Sequence, residues 1–302
     1  MRYKSCSRIH NGFNFYRSGK ITACCNQISP ELELAHVDDE NLAEKLLVNH
    51  RRLLMRHKLG DAPEVCRKCS AFVEHDWDDA PGRVPFSQAS LNHYKKCNLK
   101  CVHCGYRRQD EMEQDTPHEK VFDALLKCIA AGIMVPKPYL EIGGGEPSLG
   151  NGIENIVRYA LEHGWEGLIN SNGARFSQVF ADGVNAAQFS LLLTPDAGSR
   201  ETYARIKGAD NFDNAWRNIG RYMAATSGNA LVKFILEEGN KNDIPAMIAT
   251  AKNYGVQTLV LSLDMNVPAG KHPEYVARAK EFLHLARKNG MTVIRGAFLP
   301  EF

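Results

Sequence analysis

The chain has 302 residues, of which 44% are apolar and 24% are charged, and its formal net charge at pH 7 is +2. This balance is typical of a globular protein with a sizeable core, and so small a net charge gives no reason to expect nucleic acid as a partner. No apolar run approaches the ~18 residues that a membrane span requires, and the first residues lack the apolar segment of a signal peptide. We therefore expect a cytoplasmic protein without a membrane partner.

Cysteine is the most informative residue type. Nine occur, an odd number at close spacings, and none follows Cys128. Because no export signal accompanies them, we do not expect a disulfide framework, and clustered cysteines in a reducing compartment usually bind metal or carry out redox chemistry. The cysteines lie at positions 6, 24, 25, 66, 69, 97, 101, 104 and 128.

The first 75 residues hold five of these cysteines and one clear helical pattern. Leucines recur on one face between Glu40 and Lys58, with charged residues between them, which predicts an amphipathic helix. The stretch that follows is rich in Pro, Gly and Asp and is typical of a linker. The sequence therefore predicts a cysteine-rich region at 1–75, a linker at 76–85 and the main domain at 86–302.

From Phe86 onward, short apolar runs alternate with helical patterns. This alternation predicts an α/β domain in which parallel strands are joined by right-handed crossovers. An open sheet and a closed or partial barrel both fit, and in either of them ligands bind at the carboxyl ends of the strands. The predicted strands are Phe86–Leu91, Tyr139–Ile142, Gly167–Asn170, Gln188–Leu193, Leu231–Leu236 and Thr258–Leu263, and the predicted helices are 118–131, 151–163, 175–182, 200–224, 243–254 and 274–289.

Three cysteines, Cys97, Cys101 and Cys104, directly follow the first of these strands. They can hold three corners of a cubane iron–sulfur cluster, and because no fourth ligand follows nearby, one iron would stay open. A structural zinc site or a fully ligated ferredoxin cluster normally has four protein ligands, so a zinc knuckle would have to borrow a distant one. The segment therefore favours an iron–sulfur cluster with an open coordination position.

The spacing Cys-x3-Cys-x2-Cys resembles the signature of the radical S-adenosylmethionine (radical SAM) superfamily. The resemblance extends over residues 86–265. It implies a partial (β/α)6 TIM-like barrel, a catalytic [4Fe–4S] cluster on Cys97, Cys101 and Cys104, and S-adenosylmethionine bound at the open iron.

The loop Gly143–Pro147 comes at the end of the second predicted strand. Glycines let a backbone approach a ligand closely, and a carboxylate accepts hydrogen bonds from an ammonium group, although such a loop alone is often only a turn. In the superfamily the matching segment binds the amino group of the methionine part of S-adenosylmethionine. The resemblance therefore implies cofactor binding by Gly144, Gly145, Glu146 and Pro147.

Weaker matches follow in the order that the superfamily has them. Asn172 ends the third strand, and Thr194 and Asp196 lie in a stretch that resembles the Ser-x-Asp-Ala-Gly segment of the family. His103 takes a position that is often aromatic in the family and lies near the adenine. Lys233 is a polar residue in an apolar strand, where it faces either the barrel lumen or the outside. The resemblance implies that His103, Asn172, Thr194 and Asp196 also contact the cofactor, and we expect the same of Lys233 if it faces the lumen.

The N-terminal cysteines form a second pattern. Cys6, twelve residues, Gly19, four residues and Cys24 resemble the opening of the SPASM/twitch auxiliary-cluster motif, here placed before the barrel and without the later cysteines of a full SPASM domain. The resemblance implies a second, fully ligated [4Fe–4S] cluster. Four thiolates also suit structural zinc, so both metals stay open. The implied ligands are Cys6, Cys24, Cys66 and Cys69, with Cys25 as an alternative to Cys24.

The resemblance implies an enzyme that reductively cleaves S-adenosylmethionine to a 5′-deoxyadenosyl radical, which abstracts a hydrogen atom from a substrate. An auxiliary cluster that accepts the substrate's electron favours oxidative modification of a peptide or small molecule. Epimerisation would need a hydrogen donor, often a thiol, and no cysteine lies in the later strands. An epimerase and a non-catalytic iron–sulfur electron carrier or sensor stay open as alternatives. The expected partners are the substrate and a reductant protein such as flavodoxin or ferredoxin.

Overall fold

The computed structural model of the chain describes residues 2–24, 29–69, 71–77, 84–105, 114–225, 228–268 and 272–299. The chain forms two compact units. The first comprises Met1–Lys96, Asp110–Gly145 and Tyr159–Gly167, and the second comprises Cys97–Gln109, Glu146–Arg158 and Leu168–Phe302.

These units do not divide at the predicted linker. Residues on both sides of the stretch 76–85 belong to the first unit, and positions 78–83 lie outside the described residues. The domain limits at 75 and 86 therefore stay a prediction.

The first unit combines a mixed sheet with a two-stranded ribbon. Its elements are β1 (Arg2–Ser5), α1 (Ser7–Asn11), β2 (Gly12–Phe15), β3 (Lys20–Thr22), β4 (Glu33–His36), α2 (Leu42–Lys58), α3 (Glu64–Arg67), β5 (Val73–Asp76), β6 (Phe86–Leu91), α4 (His118–Ala130) and β7 (Met134–Ile142). In the mixed sheet the order is β7-β6-β2-β3-β4, with β2 and β7 parallel to β6 and with β3 antiparallel to both β2 and β4. The ribbon pairs β1 with β5 in antiparallel fashion.

The second unit is built on parallel strands joined by helices. Its elements include most of α5 (Asn151–Glu162) and β8 (Gly167–Ser171), followed by α6 (Gln178–Asn185), β9 (Phe189–Leu193), α7 (Arg200–Lys207), α8 (Phe212–Ala224), β10 (Ala230–Leu236), α9 (Ile244–Asn253), β11 (Thr258–Leu263), α10 (His272–Lys288) and β12 (Thr292–Arg295). The strand order is β8-β9-β10-β11-β12, and β9 to β12 pair in parallel.

The predicted α/β class with parallel strands is confirmed, and two strands, Phe86–Leu91 and Thr258–Leu263, begin and end at the predicted residues. The short strands β1 to β5 and the last strand β12 were not predicted. The single helix predicted over 200–224 is wrong, because α7 ends at Gly208, whose φ of 67° is left-handed, and α8 begins anew at Phe212. A glycine in this conformation is a common end of a helix. The partial closure into a barrel stays a prediction.

Burial explains the apolar strands of the second unit. In β11 five of six residues are buried, and in β10 buried residues alternate with half-buried ones. Phe234 of β10 stacks on Phe282 of α10 at a ring-centroid distance of 5.3 Å. Because neighbouring side chains of a strand point to opposite faces, Lys233 lies on the face of β10 opposite to Phe234. Within the described parts of the chain, none of the helices is both long and apolar enough to cross a membrane.

A buried histidine gives the first unit a pH-dependent stability. His57 is 1% exposed, shares a hydrogen bond of 3.0 Å between its Nδ1 and the Ser5 hydroxyl, and leaves its Nε2 without a partner. Burial, together with the nearby His10 and Arg56, lowers the pKa of His57 from 6.5 to about 4. The neutral imidazole therefore stabilises the fold above pH 6.5, and this contribution is lost as the pH falls towards 4, because the unfolded chain takes up the proton first.

We expect the His57→Gln variant to lose less stability than the wild type when the pH falls from 7 to 5, by about 1–2 kcal/mol, because glutamine does not titrate. Denaturant titration at both pH values measures this difference in the free energy of unfolding. His163→Gln removes an exposed histidine and is the control, with an unchanged pH dependence. The same pH dependence in the wild type and in His57→Gln would contradict a buried neutral imidazole at this position.

Candidate active site

The three cysteines of the predicted catalytic cluster lie in one loop of the second unit. Cys97 is exposed, and Cys101 and Cys104 are half-buried. Burial raises the pKa of the Cys97 and Cys101 thiols, and the Cys101 thiol interacts electrostatically with both of the others. A metal must therefore displace protons from thiols that the fold already holds near one another.

The last turn of α7 holds this loop in place. The backbone N–H of Lys100 donates to the Lys207 carbonyl at 2.8 Å, and that of Val102 donates to the Ile206 carbonyl at 3.0 Å. The last carbonyls of a helix have no partner within the helix, so the loop satisfies groups that would otherwise need water. At Gly208 a Cβ atom would lie 2.9 Å from the Lys100 carbonyl oxygen, so the loop approaches the end of the helix too closely for a larger residue.

Asn172, one of the predicted cofactor-binding residues, lies against the first cysteine. Its Nδ2 lies 3.7 Å from the Cys97 sulfur and 2.9 Å from Asn98 Oδ1, and its own Oδ1 accepts a hydrogen bond from the Ala174 N–H at 2.8 Å. The amide is therefore oriented by the turn that follows β8. It donates towards the cysteine side of the loop.

Glu146 is buried in the second unit, and its carboxylate is occupied by donors of the protein. Oε1 accepts from the Ser148 N–H (3.1 Å), the Ser148 hydroxyl (2.7 Å) and the Ser171 hydroxyl (2.9 Å), and Oε2 accepts from the Asn172 N–H at 2.7 Å. Burial raises the pKa of the Glu146 carboxyl, although these hydrogen bonds oppose the shift. Glu146 thus ties the loop before α5 to the end of β8 and fixes the backbone that carries Asn172.

In the first unit, Gly144 and Gly145 pack against the chain just before the cluster loop. Gly144 has a φ of 87°, and a Cβ there would lie 2.6 Å from the Tyr94 carbonyl oxygen. A Cβ at Gly145 would collide with the Lys96 backbone, and its N–H donates to the Tyr94 carbonyl at 2.9 Å. Glycine is required at both positions because of this backbone contact. Pro147 is buried and begins a short 3-10 turn.

Asp196 and Thr194 make internal contacts at the end of β9. Asp196 has no exposed surface and a φ of 54°, and it accepts hydrogen bonds from Lys207 Nζ at 2.5 Å and from the Ile235 N–H at 2.8 Å. The Thr194 hydroxyl and N–H both donate to the Ser171 carbonyl, at 3.2 and 2.9 Å. A non-glycine residue with positive φ persists only where its surroundings determine it strongly, as they do here.

Buried polar atoms without hydrogen-bond partners occur on the predicted adenine-side residue His103 and on two other residues of this unit. Its side chain is 10% exposed, with Nε2 3.5 Å from Asp196 Oδ2 and Nδ1 3.8 Å from Glu237 Oε2. His103 Nδ1, Glu237 Oε1 and the Tyr203 hydroxyl each lack a hydrogen-bond partner. Buried polar atoms are seldom left unsatisfied, so this corner has the character of a ligand site with hydroxyl, amino or ring-nitrogen groups.

Lys207, Tyr203 and Glu237 were missed as site residues by sequence reasoning. Lys207 and Tyr203 lie on α7, and Glu237 follows β10. From sequence alone, a lysine or glutamate in such a position is usually expected to be exposed to solvent. Lys207 is 1% exposed and Glu237 is 7% exposed. The Ile-Lys-Gly run at 206–208, which ends the helix beside the cluster loop, was the signal available. Lys233 is half-buried in β10, and its contact with the cofactor stays a prediction.

The implied auxiliary ligands lie in the first unit. The Cys6 thiol interacts electrostatically with Cys24 and Cys69, and the Cys66 thiol with all three of the others. Burial raises the pKa of Cys66 to about 12 and also raises that of Cys6. The four thiols are therefore neighbours, although 41 residues lie between Cys24 and Cys66 in the sequence. Cys25, the alternative to Cys24, lies outside the described residues.

Gly19, the glycine of this motif, is required by its surroundings. Its φ is 74°, and a Cβ would collide with the His36 ring. Its N–H donates to the Thr116 hydroxyl at 2.8 Å. The ninth cysteine, Cys128, is fully buried in α4, where burial raises its pKa to about 12.

The residues present fit two iron–sulfur sites by the chemistry of their donors. One loop supplies three thiols beside unpaired buried polar atoms, and the first unit supplies four neighbouring thiols. Within the described ranges, no three Cys, His, Asp or Glu side chains converge on a point that would hold a single metal ion.

Residues 91–236, which include the three-cysteine loop, Glu146, Asn172 and Asp196, match the sequence profile of the Radical SAM superfamily. The chain therefore contains a Radical SAM superfamily domain at residues 91–236. This family uses a [4Fe–4S] cluster together with S-adenosylmethionine.

Curated relatives with similar sequences include Fe-coproporphyrin III synthase and mycofactocin maturase MftC. Fe-coproporphyrin III synthase of Methanosarcina barkeri is 30% identical over 159 residues, which are 52% of this chain and 38% of that protein. Mycofactocin maturase MftC of Mycolicibacterium smegmatis is 26% identical over 171 residues, which are 55% of this chain and 42% of that protein. The matched part thus spans about two fifths of the length of these relatives.

A solved structure has a similar fold. SuiB of Streptococcus suis, in its complex with the precursor peptide SuiA, covers 98% of this chain and 72% of its own chain with a TM-score of 0.56 and 10% sequence identity. At so low an identity the likeness supports a common fold alone.

The hydrogen bonds of Glu146 lead to a direct test of its place in the site. Glu146→Gln replaces one acceptor oxygen with a donor amide opposite N–H and O–H donors, so we expect a loss of about 1–3 kcal/mol in the free energy of unfolding. Chemical denaturation of the metal-free chain measures it. Glu201→Gln, at a side chain that is 91% exposed, is the control and should change little. Equal stability of Glu146→Gln and the wild type would contradict the buried carboxylate.

Proposed function

We propose that this chain is a radical SAM enzyme that reductively cleaves S-adenosylmethionine and removes a hydrogen atom from a peptide substrate, with net oxidation of that substrate. The observation that carries the proposal is the loop at 97–104. Its three thiols are held near one another by the end of α7, beside buried polar atoms that lack partners.

Cys97, Cys101 and Cys104 would hold three irons of the catalytic cluster and leave the fourth for S-adenosylmethionine. When bound and reduced, this pair supplies a 5′-deoxyadenosyl radical that can take a hydrogen atom from carbon, while the protein supplies binding and orientation. Glu146 would keep the loop before α5 and the end of β8 in register. Asn172 would then donate towards Cys97, which stabilises negative charge on that ligand.

His103, Tyr203 and Glu237 would face the bound cofactor or substrate. Their unpaired Nδ1, hydroxyl and Oε1 atoms can exchange hydrogen bonds with hydroxyl or amino groups. A ligand that satisfies these atoms removes the cost of leaving them buried and unpaired, and this favours polar, nucleoside-like groups over apolar ones.

The four neighbouring thiols of the first unit support a second, auxiliary cluster. Cys6, Cys24, Cys66 and Cys69 would ligate it fully, as four thiolates do in [4Fe–4S] sites. Structural zinc is the competing occupant, and it is disfavoured because these described thiols do not converge on a point that would hold a single metal ion. Such a cluster would give the protein a place for the electron that net oxidation removes from the substrate.

A peptide is the substrate class that the fold comparison favours, because the SuiB structure is a complex with a precursor peptide. A second candidate is a porphyrin-like small molecule, because the relative with 30% identity is named Fe-coproporphyrin III synthase. Product mass separates the reactions. Loss of two hydrogens supports oxidation, and an unchanged mass with deuterium taken up from solvent would instead identify an epimerase.

Cys101→Ser should abolish formation of 5′-deoxyadenosine, because one corner of the catalytic cluster loses its thiolate. The assay is anaerobic reconstitution with iron and sulfide, followed by incubation with S-adenosylmethionine and a strong reductant. Cys128→Ala, in α4, is the control and should keep the activity. A wild-type chain that takes up iron but makes no 5′-deoxyadenosine, with candidate substrates present, would favour an electron carrier or sensor.

Cys66→Ser should lower the iron content from about eight to about four per chain, because only the cluster on Cys97, Cys101 and Cys104 then remains. We expect 5′-deoxyadenosine to form still, while the oxidised product is lost. Iron and zinc analysis of the purified variants checks the first result, and mass spectrometry of the product checks the second. An iron content of about four in the wild type, with zinc present, would contradict the auxiliary cluster.

A further inference from the structure

A buried ion pair lies beside the loop that carries the three cysteines. Lys207 Nζ is 2.5 Å from Asp196 Oδ2, and the two side chains are 2% and 0% exposed. Asp196 is held from both sides, since its Oδ1 accepts from the Ile235 N–H at 2.8 Å and its carbonyl accepts from Asn240 Nδ2 at 3.0 Å. The pair is therefore rigid and shielded from water.

Both members of this pair carry their charge at neutral pH. Burial alone would raise the pKa of Asp196, but Lys207 and then His103 outweigh it and lower that pKa. Burial alone would likewise lower the pKa of Lys207, and Asp196 raises it above the ordinary lysine value. Two opposite fixed charges thus stand in a region where water does not screen them.

The pair lies near Cys101. The N–H groups of Lys100 and Val102, on either side of this cysteine, donate to the carbonyls of Lys207 and Ile206. The Lys207 ammonium lies where it attracts negative charge at Cys101, and the Asp196 carboxylate lies where it repels it. The carboxyl end of α7 adds partial negative charge at the same place, so Lys207 is the positive group in a locally negative setting.

We infer that Lys207 and Asp196 are positioning residues whose opposite charges set the reduction potential of the cluster held by Cys97, Cys101 and Cys104, an inference that rests on the proposed function. Reduction adds one electron from an external donor and makes the cluster more negative by one charge. Lys207 stabilises the reduced state and Asp196 disfavours it, because nearby charge is one of the factors that set cluster potentials.

If the pair had a purely structural role, the sign of the charge that a substitution removes would not determine the direction of a shift in the reduction potential. A buried ion pair is weak evidence for stability, since apolar residues of similar volume often serve as well. The two roles therefore differ in what single substitutions do. Removing either charge harms a structural pair in the same way, whereas a pair that sets the potential responds with opposite shifts.

The test is an EPR-monitored redox titration of the iron-loaded full chain at pH 7, following the cluster whose spectrum responds to S-adenosylmethionine. We expect Lys207→Gln to lower the midpoint potential and Asp196→Asn to raise it. The double variant should return towards the wild-type value, because it removes both charges. Arg200→Gln, on the exposed side of the same helix, removes a charge paired with Asp210 and is the control, with an unchanged potential.

Shifts of the same sign in the two single variants, or unchanged potentials in fully loaded proteins, would overturn the inference while leaving the proposed function intact. If Lys207→Gln does not load iron, Asp196→Asn and the double variant still decide the sign. A wild-type chain that takes up no iron on Cys97, Cys101 and Cys104 would overturn the proposed function and this inference with it.

Discussion

The loop with Cys97, Cys101 and Cys104 depends on two backbone hydrogen bonds to the last turn of α7. Three thiols without metal repel one another when ionised, and a loop of this length has no regular structure to hold it. The carbonyls of Ile206 and Lys207 have no partners within their helix, and the N–H groups of Lys100 and Val102 satisfy them. The same contact brings the buried ammonium of Lys207 beside Cys101, so a single constraint arranges both the ligands and the charge around them.

Hydrogen bonds extend this constraint to the predicted cofactor residues. The Glu146 carboxylate accepts hydrogen bonds from Ser148, Ser171 and Asn172. The Asn172 side chain in turn donates to the Cys97 side of the loop. A buried carboxylate with several donors is stable only while each donor stays in place. The Gly-Gly-Gly-Glu-Pro run at 143–147 therefore has a structural role first, with glycines that permit close backbone contact and a glutamate that holds the end of β8.

The sequence was most informative where local pattern and burial agree. The strand Thr258–Leu263 is mostly apolar because parallel strands are buried on both faces, and its limits were predicted to the residue. The strands β1 to β5 were missed because they are three or four residues long and depend on distant partners, such as Arg2 on Asp76 and Gly12 on Gln88. Gly208 indicates the end of a helix after Lys207, but the helical periodicity of apolar residues continues on both sides and led to the prediction of a single helix.

The residues of the candidate site also differ in how far the sequence predicts them. Cysteine spacing predicts ligands, since metal chemistry restricts which residues can serve and how far apart they lie. The Ile-Lys-Gly run at 206–208 marks where Lys207 lies in the chain, but the burial of Lys207 and Glu237 could not be predicted, because burial of a charge depends on tertiary contacts that no local pattern records. The proximity of Cys6 and Cys24 to Cys66 and Cys69 is likewise a tertiary fact. Only the resemblance to the SPASM/twitch motif predicts from the sequence that these four cysteines lie together.

The central claim is that S-adenosylmethionine binds at an open iron of the cluster on Cys97, Cys101 and Cys104. The most direct measurement is the EPR spectrum of the reduced, iron-loaded chain before and after addition of S-adenosylmethionine, with the Cys66→Ser variant used to remove the auxiliary signal. We expect the spectrum to change when the cofactor is added, because a new ligand at one iron alters the electronic structure of the cluster. An identical spectrum in the presence of saturating cofactor would contradict an open iron at this site.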